Sequence, residues 1–183
     1  MSLPMRPPIF LTGLPGCGKT TLGRALAREL HCDFIDLDAY IEGRFSCSVA
    51  DIFARHGEER FRTIEHNLLH EVAEMNDVVI ACGGGTPCFF DNMDYMLSRG
   101  FVIHLQASRE RLFDRLKRKR AKRPHVKQLS DSEILTYIDN ISRERAPFYS
   151  KAPLTFESSR LEDRDQIAGS LARLMPLLPN DYL

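Results

Sequence analysis

Net charge is missing from this chain, whose 25 lysines and arginines are balanced by 25 aspartates and glutamates. That balance argues against general electrostatic capture of nucleic acid or of an anionic membrane. Long apolar runs are missing too, and none approaches the roughly 20 residues that a membrane span needs. The opening stretch MSLPMRPPIF has no long apolar region before a cleavage site, so it does not read as a signal peptide. Cysteine pairing is also absent: Cys17, Cys32, Cys47, Cys82 and Cys88 are odd in number and form no C-x-x-C. Such usage fits reduced thiols in the cytoplasm better than a disulfide framework or a zinc site. No repeat or low-complexity linker divides the 183 residues, which match the size of one domain with a substantial core.

What is present is an alternation. Short apolar runs at 8–12, 33–37, 77–82, 101–105 and 153–157 read as strands, apolar nearly throughout, as parallel strands buried on both faces are. Helical patterns fall between them, near 19–30, 48–56, 58–75, 89–99, 108–121, 131–145 and 162–175. The expectation is an α/β sandwich around a parallel sheet. In the 58–75 segment, Phe61, Ile64, Leu68, Val72 and Met75 share about 80° of helical arc, a clean apolar stripe. His66 and His70 lie on the opposite face with the i, i+4 spacing of a metal pair. No third ligand accompanies them in the sequence, and H-N-L-L-H lacks the glutamate of a metalloprotease helix, so both read as surface residues.

The stretch GLPGCGKT, Gly13 to Thr20, matches the Walker A pattern in full, with an apolar strand before it and an amphipathic helix after it. Glycines let the backbone wrap phosphates with its N–H groups pointing inward, at a helix N-terminus that favours anions. Gly16, Cys17, Gly18, Lys19, Thr20 and Thr21 are the nucleotide-binding candidates, with Lys19 reaching the β- and γ-phosphates and Thr20 ligating Mg²⁺. Cys17 itself reads as a small packing residue. No N-K-x-D guanine-reading run is present, and the chain length favours a compact kinase over a GTPase.

In DFIDLDAYIE, Asp36 and Asp38 stand two apart at the end of the second strand. Strand alternation would aim both at the carboxyl end of the sheet, where ligands of open α/β folds bind. One carboxylate could hold Mg²⁺ through water while the other takes a proton from an attacking hydroxyl; capping of the next helix is the plainer alternative. Arg62 and Glu65 lie one helical turn apart and can pair. On a surface the pair would be worth little, but beside a site Glu65 would fix the guanidinium for bidentate anion recognition. Three consecutive glycines, Gly83 to Gly85, directly follow an apolar strand, which implies unusual dihedrals or a need for bare backbone.

The series Gly13–Thr20, Asp36-x-Asp38, Phe61-Arg62-x-x-Glu65, Gly83-Gly84-Gly85, Arg123-Pro124 and Arg145-x-x-x-Tyr149 resembles the shikimate kinase family in order and spacing, over roughly residues 8–160. The glycine triplet and the F-R-x-x-E element are its specific parts. The resemblance implies a P-loop NTPase of the nucleoside-monophosphate-kinase-like fold. That fold is a three-layer sandwich with a five-stranded parallel sheet and a mobile lid. It implies an ATP- and Mg²⁺-dependent transfer to the 3-hydroxyl of shikimate, yielding 3-phosphoshikimate and ADP in aromatic amino-acid biosynthesis. Carried over by position, Asp38 holds the ring hydroxyls and is the base, Asp36 lies near the magnesium shell, Arg62 and Arg145 bind the carboxylate, and the Gly84 N–H binds a shikimate oxygen. Related kinases of gluconate or nucleotides, and a non-catalytic nucleotide sensor, are the alternatives.

The basic run RLKRKRAKRPHVK, 115–127, holds eight lysines or arginines and no acid. Most of it reads as a solvated helix face. Arg123 matches the family's lid arginine, which would stabilise the transferred phosphoryl as the lid closes. Arg118 is a candidate adenine contact, and residues near 157–160 are expected beside the adenine. The approximate subregions are thus 8–30 for the P-loop and its helix, 36–65 for substrate binding and 115–127 for the lid. The whole is expected to act as a cytoplasmic monomer on a small-molecule substrate, without nucleic acid or membrane.

Overall fold

The computed structural model describes residues 5–122 and 126–183. Five parallel strands form one sheet: β1 (Ile9–Thr12), β2 (Asp33–Asp36), β3 (Val78–Ala81), β4 (Phe101–Gln106) and β5 (Leu154–Glu157), in the order β2-β3-β1-β4-β5. The expected α/β sandwich with its five strands is borne out, each within a residue or two of its expected bounds. β1 and β3 are central and wholly buried, whereas β2 and β5 are edges whose outward residues reach solvent. The register pairs Phe10 with Ile80 on one side of β1 and with Val102 on the other.

Strand side chains alternate between the two faces, and the core divides accordingly. Ile9, Leu11, Val79, Ile103 and Leu105 pack with α1 (Lys19–Glu29), α5 (Arg109–Arg118), α6 (Asp131–Tyr149) and α7 (Arg164–Leu174). Phe10, Val78, Ile80 and Val102 pack with α2 (Leu37–Phe45), α3 (Val49–Ala73) and α4 (Asn92–Arg99). Helices therefore cover both sides.

The expected helices at 48–56 and 58–75 are borne out, joined as α3 across a kink where Gly57 leaves helical geometry at φ 76°. The stripe Phe61, Ile64, Leu68 and Val72 is buried as expected, but Met75 lies past the last helical residue and is exposed. The segment 131–145 continues to Tyr149, even though Pro147 falls in its last turn. Proline reads as a helix stop because it cannot donate to the preceding turn. The added turn is what carries Tyr149 to the carboxyl end of the sheet.

Candidate active site

β1 runs into the Walker A loop at the point where the chain's path across the sheet reverses, with β3 on one side and β4 on the other. Ligands of open α/β sheets bind at such a switch point. Gly16 and Gly18 hold φ values of 89° and 101°, so the loop needs glycine to curl toward the start of α1. A Cβ on Gly18 would also strike the Leu161 side chain. Lys19 Nζ donates to the carbonyls of Gly13 at 2.7 Å and Leu14 at 3.1 Å, so the ammonium is centred over the loop. Cys17 is buried and packs there, with its Sγ 3.6 Å from Lys19 Nζ.

The loop opens onto a cavity of about 1240 Å³ that gathers Gly16, Gly18, Lys19, Thr20, Thr21, Asp36, Asp38, Arg62, Gly84 and Arg145. Residues separated by up to 129 positions (145 − 16) in the sequence thus face one space. Cys17 lies behind the loop instead, on a second cavity of about 490 Å³ beside His104 and Tyr149. Arg123 falls outside the described residues.

Strand alternation does not place the two aspartates. β2 ends at Asp36, which caps α2 by accepting from the Ala39 N–H at 3.4 Å. Its other oxygen accepts the Thr20 hydroxyl at 2.7 Å, so capping and contact with the P-loop coexist in one carboxylate. Asp38 sits in the first helical turn. Its oxygens are open to the cavity, yet protein surrounds it closely on the other sides. Poor hydration there, with the negative charges of Glu65 and Asp36, pushes its pKa up to about 6, against a smaller opposing pull from Lys19. Asp36 and Thr20 together present oxygens beside the loop, a hard donor set that suits Mg²⁺.

Bare backbone, rather than unusual dihedrals, explains the glycine triplet. None of its glycines appears in the positive-φ region. A Cβ on Gly83 would lie 2.8 Å from Glu65 Oε1, and one on Gly84 would lie 2.9 Å from Arg145 Nη1 and 3.0 Å from Pro15 Cδ. One on Gly85 would lie 2.8 Å from Arg62 Nη2. These gaps are too small for a side-chain carbon. Two guanidinium groups and a buried carboxylate rest directly on the triplet.

Arg62 is held on several sides. Its Nη1 donates to Glu65 Oε2 at 2.8 Å, its Nη2 to Glu58 Oε1 at 3.1 Å, and its Cζ stacks 4.0 Å from the Phe89 ring centre. Glu65 is 1 % exposed and accepts the Thr86 hydroxyl at 2.5 Å on its other oxygen. Asn92, also fully buried, donates its amide to the Thr86 carbonyl at 2.8 Å. Arg145 projects from α6 with Nη1 buried and making no hydrogen bond to the protein, a donor set aside for an anion. One turn on, the Tyr149 hydroxyl donates to the Gly84 carbonyl at 2.6 Å and its ring stacks on His104 at 4.7 Å. Burial, and less strongly the Lys19 charge, lowers the His104 pKa to about 4, so that imidazole is neutral.

Sequence reasoning missed Thr86, Asn92 and Arg115. Arg115 opens the basic run but is not a solvated residue. It donates to the carbonyls of Gly16 at 3.1 Å, Ser158 at 3.2 Å and Ser159 at 2.9 Å, and pairs with Glu162 at 2.8 Å. The Ser158 hydroxyl meanwhile donates to the Cys17 carbonyl at 2.7 Å, so the 157–160 segment is tied to the back of the P-loop. Elsewhere in the run, Arg118 pairs with Glu162 and Lys117 and Arg120 with Asp131. Counter-ions come from α6 and from the segment before α7, which no local reading of charge reveals. His66 and His70 are half-buried against α4 rather than bare on the surface.

The fold and this loop define a P-loop NTPase of the nucleoside-monophosphate-kinase-like class. The model of the shikimate kinase family matches residues 15–175. A shikimate kinase of Bacteroides fragilis is 51% identical over 170 residues, covering 93% of this chain and 95% of that one. The crystal structure of shikimate kinase from Bacteroides thetaiotaomicron has a TM-score of 0.90 at 48% identity, with 93% of this chain and 97% of that one aligned. A shikimate kinase from Acinetobacter baumannii, solved in complex with shikimate, has a TM-score of 0.83 at 30% identity, with 94% of this chain and 92% of that one aligned. The chain belongs to the shikimate kinase family.

Proposed function

We propose that Arg62, Arg145 and the bare backbone at Gly84 bind the carboxylate and a ring oxygen of shikimate, with its reacting hydroxyl presented to Asp38. As a member of its family the chain is an ATP-dependent kinase that phosphorylates a shikimate hydroxyl, and the acceptor in this reading is the 3-hydroxyl. The observation that carries the site assignment is the convergence of two arginines on the glycine triplet, one clamped by Glu65 and one with a buried, unpartnered nitrogen. Guanidinium forks match a planar carboxylate in a way that a lone lysine would not.

Phosphoryl transfer asks for positioning and charge stabilisation more than covalent chemistry from the protein. In this reading the N–H groups of Gly16 to Thr21 cradle the phosphates of ATP, and Lys19 spreads the charge on the transferred group. Cys17 contributes its backbone there, and its side chain fills space behind the loop. Thr20 and, through water, Asp36 hold Mg²⁺, which neutralises phosphate charge when bound. Asp38, ionised above about pH 6, accepts the proton of the attacking hydroxyl. Arg123 completes the charge shell from a lid spanning 115–127.

The assembly proposed for this reading is a monomer. Among the described residues no helix is long and apolar enough to cross a membrane. Five unpaired cysteines support a reducing compartment such as the cytoplasm. ADP release should be measured with Mg²⁺-ATP against shikimate, gluconate and nucleoside monophosphates. Turnover on shikimate alone, abolished in Asp38→Asn and shifted mainly in KM by Arg62→Ala, supports the assignment. Turnover on another acceptor overturns the substrate, and ATP binding without turnover on any acceptor makes the chain a nucleotide sensor.

A further inference from the structure

On the side of α3 turned toward α4, away from the cavity, His66 and His70 bring their ring centres within 4.2 Å of each other. The chain enters α4 through Asp91, and ligand atoms of His66, His70 and Asp91 all lie within 4.8 Å of one another. Among the described residues this is the one such group of three. Proximity alone is common on protein surfaces. The groups behind these three set this cluster apart.

Asn92 donates its amide to the Thr86 carbonyl, so its Oδ1 must be the atom 2.7 Å from His66 Nδ1. An amide oxygen only accepts, which places the ring proton of neutral His66 on Nδ1 and the lone pair on Nε2. Metal-bound imidazoles are oriented in this way, with the second ring nitrogen donating to a fixed acceptor. His70 contributes a second unusual nitrogen: its Nε2 is buried and has no hydrogen-bond partner. Its ring lies 3.5 Å from that of Tyr95 and within 7° of parallel, which fixes the plane of the imidazole. Asp91 occupies the N-cap position of α4 without making a cap hydrogen bond, and its exposed carboxylate faces His66, with Oδ1 3.9 Å from Nδ1.

We propose that His66, His70 and Asp91 form a binding site for a divalent transition-metal ion of the zinc type, its fourth position open to solvent. Two imidazoles and one carboxylate favour zinc over magnesium, which prefers an all-oxygen shell. Donor atoms about 2.0–2.2 Å from one ion in tetrahedral geometry stand about 3.4 Å apart. Closing the cluster to that spacing requires the exposed Asp91 side chain to turn from His66 Nδ1, which it faces at 3.9 Å, toward the Nε2 side of the ring. The site is distinct from the Thr20 and Asp36 pair. It is nonetheless joined to the cavity, because Asn92, Thr86, Glu65 and Arg62 form an unbroken hydrogen-bonded chain from His66.

The test is a titration of chelator-treated full-length protein with Zn²⁺ by calorimetry and with Co²⁺ by visible absorption, in millimolar Mg²⁺. One ion per chain is expected, with a Co²⁺ spectrum free of thiolate charge transfer and a rise in Tm on loading. His66→Gln and His70→Gln should each weaken binding about tenfold or more, and Asp91→Asn by a smaller factor. Glutamine at 66 keeps an N–H donor for Asn92, and Asp91 is exposed, so neither change threatens folding. Unchanged binding in the histidine variants, a thiolate band that assigns the ion to cysteine, or no uptake below millimolar metal would each overturn the proposal.

Discussion

Thr86 donates its hydroxyl to the buried Glu65 carboxylate on the oxygen opposite the one that clamps Arg62. The guanidinium is therefore positioned by a carboxylate that is itself held from behind. A buried carboxylate with one partner removed keeps its desolvation cost and loses its direction. Thr86→Val should cost about 1–3 kcal/mol in stability by denaturant unfolding. The KM for shikimate should rise, with kcat changing much less, because the lost interaction concerns ground-state binding. An unchanged KM would show that Arg62 keeps its place without Thr86.

Gly84→Ala places a methyl group 2.9 Å from Arg145 Nη1 and 3.0 Å from Pro15. Arg145 has a flexible side chain and can move, but it moves out of the site. A fall of about 100-fold or more in kcat/KM is expected, with near-native circular dichroism, since misplacement by about 1 Å costs that much. Gly85→Ala should act through Arg62 in the same manner. Near-native kinetics in both variants would deny the triplet its role as a platform.

The raised pKa of Asp38 has a definite sign for stability. A carboxyl that holds its proton more tightly when folded contributes stability that is full below the unfolded value of about 3.9 and lost as pH rises through about 6. Asp38→Asn cannot ionise, so it should gain Tm over the parent above pH 6 and show no gain at pH 4. Thermal unfolding across that range checks this without substrate. Activity runs the opposite way: kcat/KM should climb on an acidic limb near pH 6, and the variant should be inactive at every pH.

Arg115 ties the P-loop to the 158–162 segment with four interactions, and its side chain is only 12% exposed. Arg115→Ala leaves Glu162 and three carbonyls short of a donor. A loss of about 1–3 kcal/mol and a raised KM for ATP are expected. Lysine should rescue poorly, because an ammonium cannot spread donors across that fork. Equal rescue by lysine would reduce the role of Arg115 to charge.

Tyr149→Phe removes only the hydroxyl that donates to the Gly84 carbonyl at 2.6 Å. About 1 kcal/mol in stability is expected. The KM for shikimate should rise while the KM for ATP stays put. Movement of the ATP value alone would mean that Tyr149 supports the P-loop through its contact with the smaller cavity.

Features written in contiguous residues are legible in the chain itself. The Walker A loop is eight adjacent residues whose conformation follows from its glycines, and the strands announce themselves as short apolar runs. Arg62 and Glu65 lie on one helix, where spacing alone predicts their pairing. Strand alternation puts Asp36 and Asp38 in the right region for an incomplete reason, since the strand stops at Asp36 and a helical turn presents Asp38. The glycine triplet is legible as an anomaly, but not the groups that press against it.

By itself, then, the sequence determined the class of sheet, the phosphate loop and the set of residues able to do the chemistry. These are local properties, set by backbone preference and by periodic apolar residues. Tertiary structure alone decided which polar groups satisfy one another. Glu65 meets Thr86 across 21 residues, Arg115 meets Ser158 across 43, and Asp91 meets the histidines of a different helix. Burial makes an unpaired polar group costly, so each finds a partner, but packing of the two helical layers on the sheet chooses which one.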